Sequence, residues 1–430
     1  MNIDLLIHSA SQLITCANPN GVKRRQAMSD VGLILDGAIA IDDGKIIAVG
    51  STADIRADYT ATETIDATDK VICPGFIDPH THVVYGGDRV NEFEMRIKGA
   101  TYMEIMAAGG GILNTMHATR SETMEQLMAE SKPRLDTMLA LGTTTIEVKS
   151  GYGLNTETEL KMLQAIVALD EIHATDLVPT FLGGHAVPPE YKGQTDKYVD
   201  LVIEEMLPAV KEWHDNRSIK RMLDRQSKHG RSTLFCDVFC EHNVFDREQS
   251  KRMLQAGLDL GFPAKIHTDE FMSLGGVNLA VELGAVSADH LDVTPPDDVE
   301  LLANSDTIGV ILPAVNFNMG STNFANARTM IDGGVALALS TDINPGSAPC
   351  PSMPLVMALA CRYQRLLPSE AFNASTINAA HAIGLGDKVG SLEVGKQADV
   401  LVINTQDYRH VAYWFGDNLV EKVIKRGRII

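Results

Sequence analysis

Two histidines one residue apart, in the stretch FIDPHTHVVYGGDR (76–89), are the first residues whose types could do chemistry. His80 and His82 follow an apolar run. If that run is a strand, both side chains point to the same face, because alternate residues of a strand do so. Neutral imidazoles placed in this way can bind a metal ion. An H-x-H pair alone does not establish a metal site, since two surface histidines at a strand end fit the same letters.

Two more potential ligands end other apolar runs of the chain. His267 lies in PAKIHTDE and Asp342 in VALALSTDIN. A metal centre that activates water needs three or four imidazole or carboxylate ligands and one open coordination position. His80, His82, His267 and Asp342 meet that need if their three runs end at one rim of the fold. The four residues together predict a single metal site more specifically than any one of them does.

Glu270 and His290 are candidate proton-transfer groups beside that site. Glu270 lies three residues after His267, where a carboxylate can reach water or substrate without being a ligand. His290 ends the run SADHL and is suited to polarise a carbonyl or to orient water. The alternatives are a loop salt bridge for Glu270 and a hydrogen bond to a ligand for His290. From the residues alone, both alternatives stay open.

The elements that must position these residues alternate between apolar runs and helical segments. Helices are predicted at 121–141 (interrupted by Pro133), 156–172 and 246–260. Alternating strands and helices are typical of an α/β fold, here a (β/α)8 TIM barrel, whose active sites lie at the C-terminal ends of the strands. Eight runs predict the barrel strands, at 71–80, 142–151, 176–185, 234–242, 263–270, 285–291, 307–315 and 335–344.

Polar residues collect at the C-terminal ends of the predicted strands. Strands often end in polar residues because they emerge into water, which accounts for one or two such positions but not for a series on most strands. The series therefore predicts an active site on that face. Its members are His80, His82, Glu147, Lys149, His185, Glu241, His267, Glu270, His290 and Asp342.

The two ends of the chain do not show this alternation of strands and helices. They contain short β-rich runs separated by glycine and turn residues. We expect both ends to form one small β-sandwich domain together. The predicted division is residues 1–70 for the N-terminal part of that domain, 71–385 for the metal-dependent hydrolase barrel, and 386–430 for the C-terminal part of the β-sandwich.

Composition excludes several classes of protein. The formal net charge of −19 argues against a nucleic-acid partner. No apolar run is long enough to cross a bilayer, and the first residues lack the pattern of a signal peptide. The six cysteines form no C-x-x-C pair and are expected to be buried thiols in a reducing compartment. These features predict a cytoplasmic enzyme without a membrane partner.

One basic segment, 215–233, interrupts the alternation of strands and helices between the third and fourth predicted strands. A solvated helical insertion is one interpretation, and a partner or subunit contact is the other. The remaining histidines have no neighbours that would give them a site of their own. They are His8, His117, His173, His214, His229, His242, His381 and His410.

Several motifs of this chain resemble the amidohydrolase superfamily, namely PGFIDPHTH, HTDE, SADHL and STDINPG. Longer stretches are similar to the imidazolonepropionase family within it, including GGDRVNEFEMRIKGATYMEIMAAGGGI, EVKSGYGL, FLGGHAVPPEY and STDINPGSAPCPSMPLVMALAC. The resemblance covers nearly the whole chain. It departs at 215–233, where the family has a shorter connection. It implies a metal-dependent hydrolase of histidine degradation.

The resemblance also implies a ligand set and a substrate pocket. One Zn(II) or Fe(III) ion per chain would be bound by His80, His82, His267 and Asp342. The fourth strand ends in Glu241 and carries no lysine of the kind that bridges two metals in some relatives, which favours one ion. The implied substrate contacts are Arg89, Tyr152, His185, Glu270, Asn344, Gly346 and Ser347.

Physical chemistry agrees with these contacts. A small cyclic amide with a propionate tail needs a cation, and the arginine fork of Arg89 suits a carboxylate. Tyr152 offers a hydroxyl donor and a ring wall, and Gly346 allows close approach of the backbone. Taken one at a time, Arg89 also fits a surface ion pair and Tyr152 a core-edge aromatic.

The function implied is hydrolytic ring opening of 4-imidazolone-5-propanoate to N-formimino-L-glutamate by a metal-activated water, with Glu270, His290 and Asp342 as catalytic residues. The alternative is a metal-dependent deaminase of a nucleobase-like ring, which would have no need of Arg89 to hold a carboxylate. A non-catalytic relative would lack metal ligands, and this chain has all four. A homodimer is the expected assembly.

Overall fold

A computed structural model describes residues 1–100, 104, 110–223 and 233–430. Its strands, in chain order, are β1 (Asn2–Ile14), β2 (Leu33–Asp42), β3 (Lys45–Ser51), β4 (Thr60–Asp66), β5 (Val71–Pro74), β6 (Phe76–Asp78), β7 (Thr143–Lys149), β8 (Asp176–Gly184), β9 (Phe235–Cys240), β10 (Lys265–Thr268), β11 (Ser287–His290), β12 (Ile308–Ile311), β13 (Leu337–Leu339), β14 (Val400–Ile403), β15 (Val420–Lys425) and β16 (Arg428–Ile429).

The α-helices lie mainly between the strands of the barrel. They are Thr52–Asp58, Val90–Ile97, Ile112–Ser121, Met124–Ala140, Thr156–Ile172, Thr195–Leu201, Leu207–Leu223, Arg247–Asp259, Gly276–Glu282, Pro296–Ala303, Pro313–Met319, Ala327–Gly333, Met353–Tyr363, Pro368–Ala374, Ile377–Ala382 and His410–Tyr413. Short 3-10 helices span Arg25–Ser29 and Pro189–Tyr191, and a π-helical turn spans Val202–Met206.

Eight parallel strands, β6 to β13, form the predicted barrel in sequence order. Side-chain and backbone hydrogen bonds close the seam between its first and last strands. Ser340 Oγ donates to the carbonyl of His80 (2.7 Å), and the amide of His82 donates to the carbonyl of Ile343 (2.9 Å). The seam therefore joins the two chain segments that carry His82 and Asp342.

The three helices predicted from the sequence are present. Met124–Ala140 begins with a capping box between Thr123 and Gln126, which satisfies amides that the first turn leaves unpaired. The predicted interruption at Pro133 was wrong, because the helix continues through that residue. Leu135 and Met138 beyond it are buried against the barrel, and this packing outweighs the local preference of proline to end a helix.

The other eight strands form one sheet from both ends of the chain, in the order β16-β15-β14-β5-β1-β2-β3, with β4 beside β1. Apolar side chains from both ends share one buried cluster. Leu5 and Ile39 come from the N-terminal part, and Val400 and Ile424 from the C-terminal part. The prediction of a small β-domain built from both ends is confirmed.

The chain passes from this sheet into the barrel at Gly75. The backbone amide of Gly75 donates to the backbone carbonyl of Asp399 (3.0 Å), just before β14. The next amide, of Phe76, donates to the backbone carbonyl of Gly142 (2.9 Å), just before β7. A Cβ on Gly75 would lie 2.3 Å from Thr144 Oγ1. The predicted run 71–80 is thus divided between two sheets, and the domain limits at 70 and 385 stay a prediction.

The six cysteines are free, as expected, and four of them are buried. The basic segment 215–233 begins inside the helix Leu207–Leu223, and its residues 224–232 lie outside the described part of the chain. Among the residues that the structure describes, no helix has both the length and the apolar character needed to cross a membrane.

Candidate active site

His80 and His82 lie just beyond β6, and His80 forms the floor of the site. The His80 side chain is fully buried. Its Nδ1 donates to Asp289 Oδ2 (2.6 Å), which leaves Nε2 as the lone-pair nitrogen. That Nε2 lies 3.4 Å from Asp342 Oδ1, and His82 Nε2 lies 3.5 Å from the same oxygen. The two histidines therefore converge on one carboxylate.

His267, at the end of β10, completes the floor. Its ring centroid lies 4.3 Å from that of His80, and its Nδ1 lies 3.1 Å from Asp237 Oδ2. Asp237 comes from the middle of β9 and is buried. His267 thus has a carboxylate behind one nitrogen, as His80 has, and its other nitrogen is left for a ligand.

The predicted metal ligands fall into two overlapping groups that share His80. The first group is His80, His82 and Asp342, and the second is His80, His267 and His290. In each group the candidate ligand atoms lie within 4.8 Å of one another. His290 was predicted as a catalytic group rather than a ligand, and the structure places it as close to His267 as a ligand would be.

Several of these atoms are buried and make no hydrogen bond to any described residue: His80 Nε2, His267 Nε2, His290 Nδ1 and Asp342 Oδ1. Unpaired buried polar atoms are rare because each one costs free energy. A cation bound among them would satisfy them together, and the donor set of imidazole and carboxylate suits Zn or Fe. The residues present therefore fit a metal ion.

Asp342 is held by the loop that follows β13. Its backbone has φ +51°, a left-handed conformation that non-glycine residues rarely adopt outside constrained sites. Asn344 Nδ2 donates to the carbonyl of Asp342 (2.7 Å) and to Ser347 Oγ (2.8 Å). Asn344 Oδ1 accepts from the amides of Gly346 and Ser347 (both 2.8 Å). Asn344 therefore ties the predicted ligand to the predicted substrate loop.

Arg89 approaches the same loop from the other side of the pocket. Its Nε donates to Thr115 Oγ1 (2.8 Å), which fixes the plane of the guanidinium. A Cβ on Gly346 would lie 2.2 Å from Arg89 Nη1. Only glycine lets the loop and the arginine pack this closely, so the close approach expected at Gly346 is to Arg89.

Tyr152 and His185 form an aromatic wall beside His82. The rings of His82 and His185 stack with centroids 4.9 Å apart, and Tyr152 lies 5.4 Å from His185. His185 Nδ1 donates to the carbonyl of Gly151 (3.0 Å). Burial and the neighbouring His267 lower the pKa of His185 to about 3, so the ring is neutral and its Nε2 is an acceptor.

Glu270 lies above the floor, on the loop after β10. Its Oε2 lies 3.7 Å from His290 Nδ1. Burial, and then the nearby carboxylates led by Asp342, raise the pKa of Glu270 well above its ordinary value. A carboxyl group in such a position can hold a proton that an exposed one would lose.

Glu241 holds the loop that carries Glu270. Its Oε2 accepts from the amides of Phe271 (2.9 Å) and Met272 (3.2 Å). Glu241 directly follows β9 and is one of the polar residues predicted at the strand ends. Glu241 therefore contacts the Glu270 loop through backbone amides and does not line the pocket.

One pocket brings the predicted metal ligands, substrate contacts and catalytic residues together, and all of them line it except the ligand His80, which lies beneath. Glu147 and Lys149 do not line it but point into the barrel behind the site. Sequence reasoning missed a further part of the lining: Glu92, Arg96, Gly111, Ile112, Phe239, Phe271 and Met319. Positions 89, 92 and 96 follow the spacing of one helix face, a signal that could have identified Glu92 and Arg96.

Two family models match parts of the chain. Residues 246–430 match the amidohydrolase family model, and residues 37–61 match an imidazolonepropionase-like composite domain of bacteria. The imidazolonepropionase of Chloroflexus aggregans is 53% identical over 99% of this chain and 98% of its own length. That of Herpetosiphon aurantiacus is 50% identical over 99% and 97%.

The fold has matches among solved structures as well. An adenosine deaminase from Xanthomonas campestris with bound zinc superimposes with a TM-score of 0.68 at 19% identity, covering 100% of this chain and 93% of that one. At this identity the match shows the architecture alone. The identity and coverage of the two curated relatives go further: the chain belongs to the imidazolonepropionase family of the amidohydrolase superfamily.

Proposed function

We propose that this chain hydrolyses 4-imidazolone-5-propanoate to N-formimino-L-glutamate, a step of histidine degradation. Water adds to the ring carbonyl carbon, the bond from that carbon to the ring nitrogen breaks, and the nitrogen takes up a proton. The carbonyl carbon becomes a carboxylate, and the atoms of ring and water are all retained in the product.

The observation that carries this proposal is one pocket with two chemically different ends. The floor holds the imidazole and carboxylate cluster of His80, His82, His267 and Asp342, and the wall holds Arg89 against Gly346. A cyclic amide with a carboxylate tail needs both ends at once. A nucleobase-type substrate would use the floor and leave the guanidinium of Arg89 without a partner in the ligand.

The site takes one metal ion, which we propose is Zn(II) or Fe(III), held by His80, His82, His267 and Asp342. When bound, the ion lowers the pKa of water and polarises a carbonyl oxygen. Asp289 and Asp237 lie behind His80 and His267, so the Nδ1 protons of those rings face carboxylates and their Nε2 atoms face the ligand position.

The proton steps belong to Glu270 and His290. We propose that Glu270 accepts a proton from the attacking water and delivers it to the leaving ring nitrogen. His290, within 3.7 Å of Glu270, orients that carboxyl group and donates a hydrogen bond to the carbonyl oxygen as charge develops there. Asp342, beside His80 and His82, orients the nucleophile.

The substrate is oriented by the rest of the lining. Arg89 binds the propionate through its Nη atoms. One loop offers polar groups to the same tail, from Asn344, Gly346 and Ser347. Tyr152 and His185 stack against the flat ring, and the neutral His185 accepts a hydrogen bond from a ring N–H. Fixing both ends of the substrate in this way lowers the entropy cost of reaching the transition state.

Turnover of 4-imidazolone-5-propanoate, with the metal of the same sample quantified, tests the proposal. We expect ring opening with close to one Zn or Fe per chain. Ammonia release from cytosine and guanine is measured in parallel. Ammonia release without ring opening would contradict the assignment and favour a deaminase, and a preparation that turns over its substrate with no metal would contradict the metal site.

Assembly and location complete the proposal. We propose a homodimer in the cytoplasm that acts on a small-molecule substrate, without nucleic-acid or membrane partners. The net charge of −19 supports the absence of a nucleic-acid partner. Sedimentation of the purified chain tests the dimer.

A further inference from the structure

A fully buried lysine lies behind the predicted metal ligands, inside the barrel. Lys149 ends β7, and its side chain has no exposed surface. Its Nζ donates to Glu147 Oε1 (2.8 Å) and Asp237 Oδ2 (2.7 Å) and lies 3.7 Å from Asp289 Oδ2. The function proposed above gives this lysine no role.

The two aspartate oxygens that face Lys149 are the same two oxygens that face metal-ligand histidines. Asp289 Oδ2 accepts from His80 Nδ1 at 2.6 Å, and Asp237 Oδ2 lies 3.1 Å from His267 Nδ1. One ammonium group therefore lies between two carboxylates, each of which has a histidine on its other side. The arrangement joins β7, β9 and β11 behind the two histidines.

We propose that Lys149 is a positioning residue of the metal site, which holds Asp237 and Asp289 against the Nδ1 atoms of His267 and His80. Two buried carboxylates this close to each other need a cation, since an unpaired buried charge is costly. Held in place, they fix the proton of each imidazole on Nδ1 and leave Nε2 for the ion. One lysine therefore orients two ligands from different strands.

The electrostatics support a permanent cation rather than a reactive amine. Burial alone lowers the pKa of Lys149, but Asp237, Glu147 and Asp289 outweigh burial and raise it above its ordinary value. An ammonium that stays protonated cannot act as a nucleophile or as a metal ligand.

The chain contains a matched control for removal of a buried cation. Lys265 on β10 is also fully buried, and its Nζ donates to the backbone carbonyls of Pro79 (3.2 Å) and Ala382 (3.0 Å). Lys265→Met therefore removes a buried lysine from the same barrel interior and breaks no hydrogen bond or ion pair to Asp237 or Asp289.

The experiment measures the affinity of the full chain for Zn(II) by competition with a chelator, and the visible spectrum of the Co(II)-substituted chain. Changing residues that orient metal ligands typically weakens metal binding about 10- to 100-fold. We expect Lys149→Met to raise the Kd for Zn(II) by such a factor and to shift the Co(II) bands, and Lys265→Met to change the Kd less than about threefold. A structural role alone would lower the stability of both variants and move neither readout selectively.

Asp289→Asn gives a second test that does not depend on Lys149→Met folding. It keeps the shape of the side chain and weakens the contacts of Asp289 with both Lys149 and His80, and we expect a raised Kd from it as well. If Lys149→Met folds, the Kd effects of the two changes should be less than multiplicative in the double variant, because they act through one contact chain.

The inference rests on the proposed metal site, and the results separate the two. A wild-type chain that binds neither Zn(II) nor Co(II) would contradict the site itself. Wild-type binding with an unchanged Kd in Asp289→Asn, or an equal Kd in Lys149→Met and Lys265→Met, would overturn the role of Lys149 and leave the metal site standing.

Discussion

Glu270 combines a position near His290 with a pKa raised by burial, and both features suit a group that takes and returns a proton. In Glu270→Gln the side chain keeps its size but cannot carry a proton between water and nitrogen. We expect kcat to fall about 10²- to 10⁴-fold, while metal content stays near one ion per chain. Steady-state kinetics and metal analysis of the same preparation check this.

The control for Glu270→Gln is Glu248→Gln, which makes the same change at an exposed residue of the helix Arg247–Asp259. It should leave kcat unaltered. Full activity in Glu270→Gln would remove Glu270 from the mechanism and leave His290 as the candidate proton carrier.

Arg89 is expected to act on binding more than on chemistry, because we propose that it binds the tail of the substrate. Arg89→Met should raise KM about 10- to 100-fold, the range expected for loss of a hydrogen bond to a charged group, with a smaller change in kcat. Arg89→Lys keeps the positive charge but not the forked guanidinium, so its KM should fall between those of wild type and Arg89→Met. The measurement is kcat and KM for each variant.

A substrate analogue without the propionate is the control for Arg89. Wild type and Arg89→Met should turn it over equally poorly, because neither has a carboxylate to bind. If Arg89→Met still handles the analogue worse than wild type does, Arg89 has a role other than binding the tail.

The sequence was sufficient to identify most of the pocket and insufficient for what lies behind it. The predicted ligands could be recognised because residue types that bind metal ions follow apolar runs in the sequence. They are His80, His82, His267 and Asp342. Lys149 was noticed as a strand-end residue, but its contacts with Asp237 and Asp289 depend on how three strands are staggered across the barrel. The stagger of the strands is fixed by the closure of the barrel, and no local sequence pattern predicts it.

A single buried carboxylate holds the loop between β7 and the helix Thr156–Ile172. Glu159 accepts from the amides of Gly151 (3.0 Å), Gly153 (2.7 Å) and Leu154 (2.8 Å). This loop presents Tyr152 to the pocket. The helix that positions Glu159 therefore also sets the aromatic wall of the site.

Glu159→Ala would leave three loop amides without their acceptor. We expect a loss of about 2–4 kcal/mol in the free energy of unfolding, since unpaired buried groups cost about 1–3 kcal/mol each and water can replace part of the loss. KM should rise because Tyr152 is no longer fixed. Urea unfolding and steady-state kinetics measure the two effects.

Glu157→Ala, on the same first turn of that helix, is the comparison for Glu159→Ala. It contacts none of the loop amides and should leave both quantities close to wild type. Equal KM values in Glu159→Ala and wild type would mean that the loop keeps its shape without the carboxylate.

Strand boundaries show where local patterns stop being informative. The sequence 71–80 is apolar on both sides of Gly75 and therefore predicts one strand. Only the hydrogen bonds to Asp399 and Gly142 show that it is divided between two sheets. Pro133 is the opposite case, in which a local signal for interruption is overridden by buried neighbours. Both differences come from tertiary packing, which acts after the local preference of the chain.

The barrel and the sheet of the chain ends are joined by a buried ion cluster far from the active site. Lys425 Nζ donates to Asp176 Oδ2 (2.8 Å) at the start of β8 and to Asp399 Oδ2 (2.6 Å). The active site lies at the other ends of the barrel strands. This separation makes stability and catalysis independently testable.

Lys425→Met should lower the free energy of unfolding by about 3 kcal/mol, the lower end of the range for breaking a buried ion pair, because Asp399 loses its cation while Asp176 keeps Arg426 Nη2 (2.7 Å). The kcat/KM of the folded fraction should stay the same. Lys422→Met, on the same strand, is the matched change at a half-buried lysine and should cost much less. A drop in kcat/KM with Lys425→Met would mean that the two ends of the barrel are coupled.

Metal removal should weaken the molecule as a whole. An ion that binds only the folded chain stabilises it by about 4 kcal/mol when its free concentration is about a thousand times its Kd. Dialysis against a chelator should therefore abolish turnover and lower the urea midpoint, and added Zn(II) or Fe should restore both. A midpoint that does not respond to the metal would argue against a bound ion in the folded state.

The passage at Gly75 has a consequence for the order in which the protein can be completed during synthesis. Strand β5 pairs with β14, which is made more than three hundred residues later, and only a few residues separate β5 from His80 and His82. While the ribosome is still translating the barrel, β5 lacks this neighbour. The segment that carries the first two predicted ligands is thus anchored on both sides only once β14 has emerged, and we expect a nascent chain to complete its proposed metal site only at the end of its synthesis.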